Sequence, residues 1–279
     1  MTNELSEYVQ RHHQKAFSLS PEIPVRQRIE IFLRGHPKLG VEPKIDGARM
    51  FLMTGEKNSV LASKHNGVIP APDHLVVPRH SIFDCEYKRD TKQLFIFDVL
   101  RLADADLTYL NYRDRRDALR AAKMERPFNV RILDYQIMTA ADHIEAAYDD
   151  ALSRGYEGVM AKDATSYYGQ PSTWLKLKLF ETVDLVVVAP VPGKQDCWRV
   201  GAFDEKRNLV EVSDASSPKK EVDVSKIKPG SVLEVRYQPT VGYTALRHPT
   251  IIRIRSDKTP EECTVDQMPW LVDQGKIEG

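Results

Sequence analysis

The sequence predicts a mixed α/β (α+β) unit with antiparallel sheets, followed by a small all-β unit of the OB-fold kind. Two observations carry this. Helix-spaced apolar residues and short β-prone runs alternate up to Glu181, whereas later strands follow one another with turns between them and no strong helix. The chain has 279 residues, enough for one large domain or two moderate ones. The boundary is expected near Thr182, giving units of 1–181 and 182–279.

Val25, Ile29, Phe32 and Leu33 recur at helical spacing, with Gly35 and Pro37 as stop signals. Arg49–Met53, Ser59–Ser63, Ser81–Tyr87 and Leu94–Leu100 read as strands. Asn111 is expected to cap a helix running to about Met124. Thr139-Ala140-Ala141-Asp142 reads as a capping box for a helix ending at Gly155. Gly158–Ala161 and Trp174–Leu179 are two further strands. In the second half the candidates are Val183–Ala189, Trp198–Phe203, Leu209–Ser213, Val232–Tyr237 and Thr250–Arg255. Five short strands with turn signals suit a small barrel. Ala215–Lys228 reads as a surface loop.

Charged residues make up 29% and hydrophobic ones 42%, ordinary for a soluble globular protein. No membrane-spanning stretch stands out, and the acidic N-terminus lacks the apolar core of a secretion signal. Cys85, Cys197 and Cys263 are an odd, scattered set, so a cytoplasmic, reducing setting is expected, and a monomer. Net charge is zero, but its distribution is uneven. Thr182–Lys258 holds 13 Lys+Arg against 10 Asp+Glu, whereas Thr259–Gly279 holds Lys276 against five acids. His12-His13 looks like an exposed pair, and no HExxH, Cys/His metal spacing, GxSxG or Walker A pattern occurs.

Lys44 organises the candidate chemistry. It lies in Glu42-Pro43-Lys44-Ile45-Asp46-Gly47-Ala48-Arg49, where a glycine lets backbone approach a ligand and Arg49 adds a phosphate-ready fork. Glu86 and Glu157 sit at or beside apolar strands, where acids hold Mg²⁺ or a sugar hydroxyl. In Trp174-Leu175-Lys176-Leu177-Lys178, alternation puts Trp174, Lys176 and Lys178 on one face, a pattern suited to anions. Phe97 in Phe95-Ile96-Phe97-Asp98 is core or a base-stacking ring. Arg253 and Arg255 are expected to share a strand face, with Ile252 and Ile254 opposite and Asp257 and Lys258 next in line. Each element alone also has a bland reading as a turn, a solvated strand end or a basic barrel edge.

Taken in order, these pieces resemble the nucleotidyltransferase superfamily of ATP-dependent DNA ligases and mRNA capping enzymes. Lys44-Ile45-Asp46-Gly47 is similar to motif I, and Ser63-Lys64-His65-Asn66-Gly67 to motif Ia. Glu86 matches motif III, although Cys85 stands where ligases usually have Gly. Phe95–Asp98 resembles motif IIIa, Glu157–Lys162 motif IV, Trp174–Lys178 motif V, and Arg247–Lys258 the ligase form of motif VI. The resemblance implies an adenylation domain followed by an OB domain, in a minimal ligase without a large N-terminal DNA-binding domain.

It also implies that Lys44 attacks ATP and carries AMP. Glu42, Arg49, Lys64 and Phe97 would contact the nucleotide. Glu86 and Glu157 would hold ribose and Mg²⁺ (or Mn²⁺). Lys176 and Lys178 would meet phosphate, and Arg253, Arg255, Asp257 and Lys258 would orient the departing pyrophosphate. The implied partner is nicked double-stranded DNA. A capping guanylyltransferase, an RNA ligase and a non-catalytic OB-fold nucleic-acid binder remain alternatives.

Overall fold

A computed structural model describes residues 11, 14–20, 23–64, 67–217, 222–238 and 245–268. His12-His13, His65, Asn66 and residues 269–279 lie outside the described residues. The chain divides into two compact units, Met1–Lys178 and Leu179–Gly279.

Side-chain alternation organises the first unit's smaller sheet. In β1 (Leu39–Pro43), Leu39 and Val41 enter an apolar core, while Glu42 on the other face bonds Tyr112. β1 lies between β9 (Gln136–Met138) and β10 (Gly158–Asp163), and β11 (Trp174–Lys178) pairs with β10. Helices α1 (Val25–Gly35) and α3 (Ala141–Ser153) cover the apolar face, packing Ile29, Phe32, Ile144 and Tyr148 on Val159, Leu175 and Leu177.

The larger sheet runs β4 (Val68–Pro70), β3 (Ser59–Ser63), β2 (Ala48–Thr54), β5 (Ile82–Lys88), β6 (Gln93–Leu102) and β7 (Ala105–Asp106). β8 (Val130–Ile132) joins β6 in parallel. Met50, Leu52, Phe83 and Ile96 pack with Leu119 of α2 (Tyr112–Ala121) on one face. From the other face, Phe51, Met53, Phe95 and Phe97 meet Trp174, Tyr168 and Leu133. Both faces are covered, which explains the near-continuous apolar run of β6.

Asn111 caps α2 as expected, accepting the Asp114 N–H at 2.9 Å. The helix stops at Ala121 rather than near Met124. Glu125 exchanges two 2.9 Å backbone bonds with Val76, and this extended bridge draws the chain out of the helix. The Thr139 capping box does not form: the N-cap is Ala140, with no side-chain bond. β9 holds the chain extended through Met138, so the helix starts one residue late for Thr139 to cap it. Gly155 follows the helix at φ +78°, the left-handed conformation that lets glycine end it.

The second unit is a closed five-stranded barrel. β12 (Glu181–Pro190), β13 (Cys197–Phe203), β14 (Leu209–Ser216), β16 (Arg247–Ile254) and β15 (Val232–Gln238) follow one another around it. Leu185, Val200, Ala202, Leu233, Val235 and Ile251 fill its interior. Ala215–Lys228 is not simply a surface loop: Ala215 is buried in β14, and Val222, Val224 and Ile227 pack on the barrel core. The first part of the acidic tail is also ordered. Thr259 and Glu262 form a reciprocal capping box, and Cys263, Val265 and Met268 are buried.

Candidate active site

The two sheets of the first unit enclose a cavity of about 360 Å³, the size range of small-ligand sites. Lys44 stands on its wall directly after β1. Its position is fixed by backbone: Lys44 N–H donates to Gly158 at 2.8 Å, and Glu157 N–H donates to Lys44 at 3.2 Å. This exchange sets the Lys44 ammonium on the Glu157 carboxylate, which also lies 3.5 Å from Lys178 Nζ. Gly47 is required beside it, because a Cβ there would sit 2.8 Å from the Tyr87 carbonyl oxygen. Gly158 has φ +136°, and its Cβ would sit 2.0 Å from the Leu177 carbonyl oxygen.

Strand register brings in the other groups. β10 and β11 pair Gly158 with Lys178, Met160 with Lys176, and Lys162 with Trp174. Met160, Lys162, Trp174 and Lys176 line the cavity, whereas Val159, Ala161, Leu175 and Leu177 enter the helix-covered core. Burial lowers the pKa of Lys176 and Lys178, and repulsion from Lys44 adds to it. Glu86 reaches the cavity from β5. Burial raises its pKa to about 7, against the pull of Lys44 and Arg49, with Asp84 and Glu157 adding repulsion.

Glu86 therefore gives the protein a pH signature. Its folded pKa of about 7 lies above the ordinary glutamate value of 4.5, so the folded form favours the protonated acid. The associated stability is fully present below about 4.5 and is lost as pH rises through about 7. Glu86→Gln should flatten this stretch of the stability–pH curve, measured by urea denaturation. An unchanged slope would count against the raised pKa.

Among the described residues no cluster of three or more acids, cysteines or histidines could hold a metal. Glu86 and Glu157 nonetheless suit a hard cation as a pair. Glu86 carries costly charge when ionised, and Mg²⁺ is commonly held by one or two carboxylates plus water and substrate phosphate.

Arg49 does not offer the free phosphate fork expected of it. Its Nε and Nη2 donate to the two Asp84 oxygens at 2.9 and 2.6 Å, and Nη1 donates to the Gln14 carbonyl at 2.5 Å. Nη2 also meets the Tyr168 hydroxyl at 3.1 Å. Burial opposes the charge of Arg49, but Asp84 and Tyr168 outweigh it and raise its pKa. The guanidinium forms part of the cavity wall, 5.8 Å from the Phe97 ring centre and 5.3 Å from that of Trp174. Phe97 lies edge-to-face with Trp174. Lys64 lines the same cavity from an exposed position.

Glu42 is buried at this wall, accepting from Tyr112 at 2.8 Å and paired with the Lys162 ammonium. Lys162 is 1% exposed and stands 4.1 Å from the Trp174 ring centre and 4.3 Å from that of Phe97. Burial lowers its pKa against the pull of Glu42. Sequence reasoning did not single out Lys162, although period-two spacing from Met160 puts both on one strand face. Asp84, Tyr168 and Gln14 were also missed, and Gln14 has no signal in the sequence.

The remaining expected residues belong to the barrel unit. Asp184, unremarked in the sequence, accepts from Arg255 at 3.2 Å and from Lys258 at 2.6 Å. Asp257 accepts from Arg255 at 2.8 Å, and this bond lowers the acid's pKa. Arg253 instead pairs with Glu234 at 2.5 Å. The expected Ile252/Ile254 face is corrected: Ile251 and Ile254 pack on the core, because a register shift interrupts the alternation opposite Glu234/Val235.

Two strand-built layers around a lysine-lined cavity, joined in sequence to an OB-type barrel, define the nucleotidyltransferase–OB class of fold. Part of the chain is similar to ATP-dependent DNA ligases. Residues 74–178 match the family model described as "ATP dependent DNA ligase domain". "DNA ligase 2" of Methanosarcina acetivorans is 32% identical over 215 residues, 63% of this chain and 38% of that one. The "DNA ligase" of Archaeoglobus fulgidus is 30% identical over 212 residues, again 63% and 38%. The chain thus spans about two-fifths of the length of these relatives. A solved Lig E DNA ligase structure, described as binding DNA with a minimal scaffold, aligns with TM-score 0.63 at 16% identity. That alignment covers 87% of this chain and 98% of the other.

Proposed function

We propose that the chain is an ATP-dependent DNA ligase that seals nicks in duplex DNA through a lysyl-AMP intermediate. One observation carries the reading: Lys44 is held on Glu157 at the wall of a nucleotide-sized cavity also lined by Glu86 and Lys176. In the first step Lys44 Nζ bonds to the α-phosphorus of ATP, the bond to pyrophosphate breaks, and the lysine gives up its proton. Glu157 is placed to receive that proton or to hold the ammonium until attack. AMP then passes to the 5′-phosphate at the nick, and the 3′-hydroxyl displaces it.

Glu42 and Lys162 offer an acceptor beside a donor, the complement of the amino group and neighbouring ring nitrogen of adenine. Among the described residues Lys162 Nζ is held by its ion pair with Glu42, which leaves further ammonium protons for a base nitrogen to accept. Phe97 and Trp174 provide the apolar surround. Lys176 and Lys178 stabilise charge building on the phosphates. Glu86 and Glu157 would hold Mg²⁺ or Mn²⁺, which supplies further charge neutralisation there. Arg253, Arg255, Asp257 and Lys258 would orient the pyrophosphate. We read the protein as a cytoplasmic monomer with Met1–Lys178 as its adenylation domain; no helix among the described residues is long and apolar enough to cross a membrane.

The test is labelling with α-³²P-ATP or α-³²P-GTP in Mg²⁺, followed by sealing of nicked DNA or RNA duplexes. Label from ATP that is stable to alkali and lost in acid, as a phosphoramidate requires, and sealing of DNA are expected. Label from GTP alone would turn the assignment to a capping enzyme, and preference for nicked RNA to an RNA ligase.

A further inference from the structure

The turn between β5 and β6 carries Arg89 and Lys92, both exposed. A second turn is fastened to it: Asn129 Nδ2 donates to the Lys92 carbonyl at 2.9 Å, and Leu94 N–H donates to the Asn129 carbonyl at 2.8 Å. This second turn brings exposed Arg126 and Arg131, and Phe128 near its apex is 92% exposed. The turn is closed by Val130 N–H donating to Pro127 at 3.0 Å. Four exposed cations and an exposed aromatic therefore share one end of the larger sheet.

Several exposed arginines elsewhere on this unit are matched with acids: Arg26 with Asp142, Arg79 with Glu56, Arg154 with Asp150. Among the described residues Arg89, Lys92, Arg126 and Arg131 have no ion-pair partner within 4.0 Å. Asp90 and Glu125 lie on the same turns, but segments 88–92 and 125–131 together carry five cations against these two acids, and a net positive field suits a polyanion. Its position narrows the choice. Arg89 directly follows β5, three residues beyond the cavity-lining Glu86, or roughly 10 Å at strand rise. Duplex phosphates recur about every 3.4 Å along each strand, so this end would meet backbone a few nucleotides from the reacting phosphate.

Resting on the ligase reading above, we infer that the paired turns are a docking surface for the duplex phosphate backbone flanking the nick. Arg89, Lys92, Arg126 and Arg131 bind phosphates, and Phe128 rests its ring against a deoxyribose.

The test compares the wild-type chain with Arg89→Ala/Lys92→Ala/Arg131→Ala and with a control, Arg34→Ala/Lys38→Ala/Lys57→Ala. The control removes three exposed cations of the same unit away from these turns. Binding to a nicked duplex is followed by fluorescence anisotropy from ~50 to ~200 mM salt. The first variant should lower the slope of log K against log salt by about 3, close to one unit per lost phosphate contact. Its KM for nicked DNA should rise at least tenfold, while ATP labelling of Lys44 stays at the wild-type level. An unchanged slope, or an equal fall in both variants, overturns the docking surface. Absence of ATP label in the wild-type chain overturns the ligase reading instead, and the slopes still decide the surface.

Discussion

Lys44→Ala should form no covalent nucleotide adduct, and nick sealing from ATP should fall by at least about 10⁴-fold. The expectation follows from the site. Lys44 and Lys178 both set an ammonium on Glu157, and the backbone of Lys44 is tied to Gly158 directly after β1. Lys176 and Lys178 both stand on β11, two strands away from β1, so neither can take its place on that turn. Lys44→Arg separates charge from chemistry: it restores a cation beside Glu157 but supplies a very poor nucleophile, because arginine stays protonated. Both variants should stay inactive with ATP, yet recover closure of a nick that already carries AMP on its 5′-phosphate, since the last step makes no bond to Lys44. Label persisting in Lys44→Ala would end the assignment of the nucleophile.

The largest stability effect is expected at Asp98→Ala. Asp98 and Arg115 are both fully buried, and their two bonds, at 3.0 and 2.9 Å, form a bidentate pair. Burial works against the charge of Arg115, and Asp98 more than offsets it. Removing the acid leaves a guanidinium without its counter-charge, at a cost of about 3–5 kcal/mol. For a unit of this size that corresponds to a fall in melting temperature of roughly 6–20 °C. Asp98→Ala/Arg115→Ala should recover part of the loss, as the stranded charge is gone too. A melting temperature unchanged in Asp98→Ala would show that the pair does not hold the fold. Phe97 precedes Asp98 on β6, so the single variant should also weaken nucleotide binding.

Local signals made much of the framework legible. The spacing of Val25, Ile29 and Phe32 marked α1, and Asn111 marked the start of α2. Lys44, Glu86, Glu157 and Lys176 were visible because each stands in a short run whose alternation or turn chemistry has few readings. What stayed hidden depends on distant partners. Arg49 looked available for phosphate, but Asp84, Gln14 and Tyr168, separated from it by 35, 35 and 119 residues, take its donors. Lys162 gains meaning only when register sets it across from Trp174 and beside Glu42. The barrel strand after Leu246 misled by its regular alternation, since a one-residue shift in pairing is invisible to a period-two reading.

The segment at Gln14–Phe17 imposes an order of events during synthesis. Phe17 N–H donates to the Trp174 carbonyl and Lys176 N–H donates to Phe17, both at 2.9 Å, while Gln14 bonds Thr173 and Gly169. At ~5–20 residues per second, Phe17 precedes Lys176 from the ribosome by about 8–30 s. Throughout that interval this stretch has no partner strand, and the cavity beside it lacks a wall. The cavity therefore stays open until β11 emerges to join a segment made well before it.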